Sequence, residues 1–445
     1  MLYYTGSRMV MDVLPHNHHK YMFLLLESKN HVTVREAIGG DTLFYYTDNR
    51  RYSKYLSLYI LSMEVISLKS FLKLFHVKNE KQCTVKHLMT NAHVQIGTKL
   101  RKLREYKEDK QISNDTIKIL CENINNRDEY LTRFYNLSLQ IHPDKLSISD
   151  TGINPMRNRE MNNNQQIVFK NIIRNLHMFD ILQHTKSGIE NVPTFFDMLY
   201  DLYLHDIIDY KLLTPSATHY IKHGRIGSVF SSYYFRASIM NPYLVYSLNQ
   251  TVFQAKRVFS PTLGWSSYCY GFLESPYTSE YVGTDVIPSV CEKTKEIADI
   301  YLHQKNIDIY CKPSEDLHKD KRFMSKYREH FDLVFFSPPY YELELYNSKD
   351  QSTDRYKTYE EWLREYWEET IKLCHHVLEK SGKLCYILSG YGSQTGSTHV
   401  NLLKDMNSIT KKYFGIPTTQ PMYNKNVHVT SHRETGEQIM IFTKR

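Results

Sequence analysis

Short apolar runs alternate with longer stretches of helical spacing through the second half of the chain, from about Asn241 onward. Arg257 to Ser260, Tyr281 to Asp285, Ile307 to Tyr310, Phe331 to Phe336 and Lys383 to Ser389 read as strands. Strands that alternate with helical stretches in this way predict an α/β fold with a mostly parallel, doubly wound sheet. Between the last two strands, Leu363, Trp367, Ile371, Cys374 and Leu378 form an apolar stripe at helical spacing. Thr358 and Glu361 make a capping box at its start, and Ser381-Gly382 ends it. Val427 to Thr430 and Gln438 to Thr443, joined around Glu434-Thr435-Gly436, read as an antiparallel hairpin closing the sheet edge.

The first 240 residues carry a mainly helical pattern with some strand character. Tyr21 to Leu26 and Thr42 to Tyr46 look like strands either side of Gly39-Gly40, and Tyr52 to Phe75 looks like a largely buried helix. Lys99, Arg101, Lys102, Arg104 and Lys107 form a basic stretch expected to be helical, either a solvated face or a phosphate-contacting one. Three regions result: 1–115, an α+β region suited to target recognition; 116–225, helical; and 226–445, the α/β domain.

Composition narrows the class. The 445 residues are 41% hydrophobic and 23% charged, a soluble globular balance long enough for two or three domains. A net charge of +8 favours a polyanionic partner. Seven cysteines without a Cys-x-x-Cys pair read as reduced thiols. No apolar run reaches membrane-spanning length and no signal pattern opens the chain, so an intracellular, cytoplasmic or nuclear protein without membrane association is expected. His16, His18, His19 and the pair His375-His376 lack carboxylate or thiol partners at ligand spacing apart from Cys374, and no metal site is expected.

The most informative residues follow the strand Phe331 to Phe336, where the chain reads Ser337-Pro338-Pro339-Tyr340. Two prolines after a strand end its hydrogen-bond ladder in a rigid turn and leave carbonyl groups available to a ligand, while Tyr340 offers a flat face on which a base can stack. This turn resembles the catalytic motif of the S-adenosylmethionine-dependent amino methyltransferases, which methylate the exocyclic amino group of cytosine or adenine. The serine form is commoner in the cytosine-N4 branch. The resemblance implies a class I methyltransferase-like sheet, with Ser337, Pro338, Pro339 and Tyr340 as the catalytic set.

The same resemblance assigns the methyl-donor side. Ser260-Pro261-Thr262-Leu263-Gly264-Trp265-Ser266 stands where the family has an acidic residue, Pro, two variable residues and Gly-x-Gly. Pro261 and Gly264 are retained, whereas Ser260 replaces the acidic residue and Ser266 the second glycine. Asp285 ends the second strand 21 residues after Gly264, at the spacing of a ribose-binding carboxylate in doubly wound folds; a turn or helix-capping aspartate is the plainer reading. Glu315 or Asp316 is expected beside the donor's adenine, and Asn241-Pro242 beside its methionine end.

The expected activity is therefore S-adenosylmethionine-dependent methylation of a cytosine or adenine amino group in DNA, with nucleic acid as partner. An RNA base methyltransferase and a non-catalytic nucleic-acid-binding or scaffold relative remain as alternatives. A separate feature, His142-Pro143-Asp144-Lys145 between two helical runs, resembles the loop of a J-domain and would imply an Hsp70-type chaperone partner; a chance tripeptide in a helical region is the other reading.

Overall fold

A computed structural model describes residues 9–10, 23–28, 31–36 and 44–47 as backbone, and then 66–76, 82–141, 147–187, 193–234, 237–299, 305–346, 350–389, 394–395, 398–422 and 437–445. The chain divides into two compact units, Met1–Met63 and Glu64–Arg445. In the first, four antiparallel strands lie in chain order: Met9–Val10, Phe23–Ser28, His31–Glu36 and Phe44–Thr47. The two strands expected here are present, each displaced toward the C-terminus by one or two residues. The His-Pro-Asp tripeptide lies outside the described residues, as do Val427 to Thr430, the turn after them, His16 to His19 and most of the helix expected from Tyr52.

The second unit is built on a seven-stranded sheet. Its strands are β1 (Arg257–Ser260), β2 (Glu280–Asp285), β3 (Asn306–Cys311), β4 (Phe331–Phe336), β5 (Leu378–Leu388), β6 (Thr418–Pro421) and β7 (Gln438–Thr443), in the order β3-β2-β1-β4-β5-β7-β6. The first five run parallel; β7 pairs antiparallel with β5, and β6 antiparallel with β7. This is the class I methyltransferase-like arrangement. The hairpin expected at the edge exists, but the strand beside Gln438–Thr443 is Thr418–Pro421.

Both faces of the sheet are covered, which is why its central strands read as apolar runs. In β4, Phe331, Leu333, Val334, Phe335 and Phe336 are fully buried. Phe335 meets Tyr268 and Phe272 of one flanking helix edge-on, while Phe336 packs on Trp367 and Tyr386 on the opposite face. The helical elements that matter for the site are α1 (Ile167–His184), α2 (Pro242–Leu248), α3 (Ser267–Leu273), α4 (Pro288–Asp299), α5 (Ser314–Leu317), α6 (Ser352–Arg355) and α7 (Glu369–Val377).

Three local expectations change. The basic stretch is not one helix: Lys99–Lys102 is a strand paired antiparallel with His93–Ile96 across a turn at Gly97 (φ 60°), and only Leu103–Asp109 is helical. The helix before β5 ends at Val377 rather than at Ser381-Gly382. Ser381 is left-handed (φ 68°) and the β4–β5 register shifts there, so the glycine marks an irregularity inside the strand. The capping box is also offset: Thr358 accepts from the Glu361 N–H, but the Glu361 carboxylate accepts from Lys357.

Candidate functional site

In an open α/β sheet the strand order reverses at one point, and the loops leaving the carboxyl ends of the two strands there diverge to leave a crevice. Here that point lies between β1 and β4. A cavity of ≈140 Å³ opens at it, lined by the loop after β1, the end of β2, the start of α5 and the turn after β4.

The β1 loop has an unusual backbone. Gly264, Trp265 and Ser266 are successively left-handed, with φ of 53°, 57° and 67°. Gly264 meets a second constraint, because a Cβ there would fall 2.2 Å from Cζ of Tyr268. The residue that replaces the family's second glycine thus keeps a glycine-like conformation. Its hydroxyl is held between His177 Nε2 (2.8 Å) and Thr294 Oγ1 (2.7 Å), all three buried.

Asp285 lines the cavity and stitches two loops together. Its carboxylate accepts from Leu263 N (3.0 Å) in the β1 loop and from Val286 N (2.8 Å) and Ile287 N (3.2 Å) in the turn after β2. Burial raises its carboxyl above the ordinary carboxylate value, against the pull of those three N–H groups. Glu315 also lines the cavity, with a side chain 2% exposed that accepts from Arg355 Nη1 at 2.8 Å. Burial pushes its carboxyl up to about 7 despite the guanidinium. Asp316 takes the other end of the same guanidinium (Nη2, 2.8 Å) and lies off the cavity lining, so of the two acidic candidates only Glu315 borders the space.

Ser337 is the junction of the site. Its N–H donates to Tyr268 Oη (3.1 Å), its hydroxyl donates to the Ile387 carbonyl of β5 (2.9 Å), and its carbonyl accepts from Thr262 Oγ1 (3.4 Å). The hydroxyl has spent its proton and keeps oxygen lone pairs for accepting. Pro338, Pro339 and Tyr340 complete this wall, and Tyr340 Oη accepts from Ser389 N (2.9 Å) beyond the end of β5. Burial raises the Tyr268 phenol well above its ordinary value, so it stays protonated.

The structure thus gathers Pro261, Gly264, Asp285, Glu315, Ser337, Pro338, Pro339 and Tyr340 around one space. Besides Asp316, three candidates lie elsewhere. Ser260 is fully buried on the sheet face that α3 covers: it is in register with Gly283, two residues from Tyr281, whose ring meets Phe272. Asn241 caps α2 through Tyr243 N (3.0 Å) and bonds the Gln165 carbonyl; Pro242 presents its carbonyl 2.6 Å from where a Cβ at Gly271 would sit, locking α2 against α3. Tyr268, Tyr346 and Gln351 also line the cavity without being marked by a motif, as does Trp265 at the variable position between Gly264 and Ser266. No group of three potential metal ligands occurs among the described residues. His375 packs on Phe414 and His376 bonds the Met324 carbonyl. Among the described residues no helix is long and apolar enough to cross a membrane.

No family model matches the chain, and no curated protein matches it. Solved structures overlap it in part. N-methyltransferase NodS from Bradyrhizobium japonicum WM9, in complex with S-adenosyl-l-homocysteine, is 12% identical over 45% of this chain and 83% of its own, with a TM-score of 0.30. TrmN from Thermus thermophilus is 12% identical over 46% of this chain and 49% of its own (TM-score 0.31), and the tRNA (m1A58) methyltransferase TrmI from Aquifex aeolicus 13% over 47% and 70% (TM-score 0.30). Each overlap spans less than half of the chain. The fold assignment rests on the strand order.

Proposed function

We propose that the protein is an S-adenosylmethionine-dependent methyltransferase acting on the exocyclic amino group of cytosine or adenine in nucleic acid, DNA in the first instance. One observation carries this: the Ser337-Pro338-Pro339-Tyr340 turn and the glycine-bearing β1 loop share a cavity at the switch point and are bonded to each other through Thr262 and Tyr268. The residues present suit the donor. Pro261 and Gly264 bring backbone to the cavity, Asp285 stands at the end of β2 where a ribose is bound in doubly wound folds, and the buried Glu315 borders the same space and is our candidate for the adenine contact. S-adenosylmethionine, when bound, supplies an electrophilic methyl group.

The chain's own residues act on the amine. An exocyclic amine is a weak nucleophile because its lone pair is delocalised into the ring. Ser337 Oγ and the Pro338 carbonyl accept its two N–H bonds and favour a pyramidal, more nucleophilic nitrogen. Tyr340 stacks on a base turned out of its helix, and its anchored hydroxyl fixes the ring plane. The test is mass spectrometry of nucleosides from DNA and from RNA incubated with protein and donor. Methylcytosine or methyladenine from DNA, reduced about a hundredfold by Ser337→Ala or Tyr340→Ala with donor binding intact, is the expected result. Product from RNA alone moves the substrate class, and full activity in both variants overturns the assignment.

A further inference from the structure

The three left-handed residues of the donor loop pose a physical question. Glycine takes this conformation freely, but Trp265 and Ser266 do not, and each resists it by an amount equivalent to roughly tenfold in a conformational equilibrium. The loop holds its shape only if something outside it bears that cost. Ser267 helps from within, donating its hydroxyl (2.6 Å) and N–H (3.2 Å) to the Gly264 carbonyl. A second contact comes from α1, some ninety residues earlier in the chain.

The direction of the hydrogen bonds is fixed. Thr294 Oγ1 gives its proton to the Val290 carbonyl of α4 (2.6 Å), so it accepts from Ser266 Oγ, and Ser266 accepts from His177 Nε2–H. His177 Nε2 therefore carries a proton; burial lowers the imidazole well below its ordinary value and keeps it neutral, and its Nδ1, an acceptor lone pair, has no partner among the described residues. The His177 ring also meets Trp265 edge-on, centroids 5.4 Å apart, with Tyr346 at 5.5 Å on that indole. Helix α1 is fastened beside this contact by Lys293 of α4, which bonds the Leu176 carbonyl (3.0 Å) and Asp180 (2.8 Å).

We infer that His177 is a positioning residue for methyl-donor binding: it holds Trp265 and Ser266 left-handed through the Ser266 hydroxyl, and so gives the β1 loop its donor-binding shape. The inference rests on the reading that this loop binds S-adenosylmethionine. It assigns to a serine, in place of the family's glycine, a requirement for an external clamp. A glycine at 266 needs none for its own backbone.

The test is calorimetric titration of S-adenosylhomocysteine into the full chain and four variants. His177→Ala is expected to weaken binding about tenfold. His177→Gln, whose amide N–H reaches the place of Nε2, retains most of the affinity. Ser266→Gly stays within about threefold of wild type, and His177→Ala costs clearly less in the Ser266→Gly background than in the wild type, because glycine keeps its own conformation unaided while Trp265 still loses the His177 ring. A general packing role for His177 predicts instead the same loss in both backgrounds, and that result overturns the inference. Should His177→Ala not fold, His177→Met fills the space without donating and takes its place. If the wild-type chain binds no S-adenosylhomocysteine, the donor-site reading itself fails and the inference with it.

Discussion

Gly264→Ala puts the geometry of the cavity to a quantitative test. The added methyl would sit 2.2 Å from Cζ of Tyr268 and 2.5 and 2.6 Å from its two Cε atoms. Carbon atoms rest near 3.5 Å, so the ring must withdraw by about 1.3 Å. That movement takes Oη, now 3.1 Å from Ser337 N, out of hydrogen-bonding range. An amide left without an acceptor costs about 1–3 kcal/mol, and alanine at φ +53° adds about 1 kcal/mol, giving a loss of about 2–4 kcal/mol in unfolding free energy. Urea unfolding followed by circular dichroism measures it. The same substitution in a Tyr268→Ala background meets no ring and breaks no bond to Ser337, so only the backbone component of about 1 kcal/mol should remain. Equal losses in the two backgrounds, or a loss below about 0.5 kcal/mol in the first, would refute the proposed link between the β1 loop and the β4 turn.

Two further outcomes follow from buried carboxylates. Glu315 has a folded-state pKa of about 7 against an ordinary 4.5, so the folded chain holds its proton more tightly than the unfolded chain. Its contribution is fully present below pH 4.5 and is lost as pH rises through about 7; Glu315→Gln should flatten stability over that window, by on the order of 3 kcal/mol in the difference from wild type measured by thermal or urea unfolding. Glu274 Oε2 accepts from Ser147 Oγ (3.2 Å), Ile148 N (3.0 Å), Ser149 N (3.0 Å) and Ser149 Oγ (2.9 Å). Glu274→Ala strands two backbone amides, and hydrogen exchange at 148 and 149 should quicken together with a loss of about 2–4 kcal/mol.

Much of the fold was legible because β1 to β4 are short, strongly apolar and separated by helical spacing; Phe331 to Phe336 admits little else. Errors arose where a local marker had a tertiary explanation. Gly382 looked like a helix stop, yet it lies within β5, where a Cβ would fall 2.9 Å from the Glu379 carbonyl and 3.2 Å from that of Phe331. Lys99 to Lys102 carries charges that fit a helix face or an exposed strand equally well, and pairing with His93–Ile96 decides for the strand.

The candidate site divides in the same way. Residues at strand ends (Pro261, Gly264, Asp285, Ser337 to Tyr340) converge because the topology brings strand ends together, and sequence position is enough to find them. Ser260 was carried over by motif position, but its side chain points into the layer beneath α3. Tyr268, Arg355 and His177 carry no local signature. Each matters through a partner distant in sequence: 69 residues separate Tyr268 from Ser337, and 40 separate Glu315 from Arg355.

Helix α1 has a practical consequence for anyone cutting this chain into pieces. A fragment beginning at 226 would contain every strand of the sheet and every motif of the cavity. It would also strip Lys293 of Asp180 and the Leu176 carbonyl, remove the ring against Trp265, and open to water a face of α4 that is now interior. The piece that looks like a whole domain on paper is missing one of its own walls.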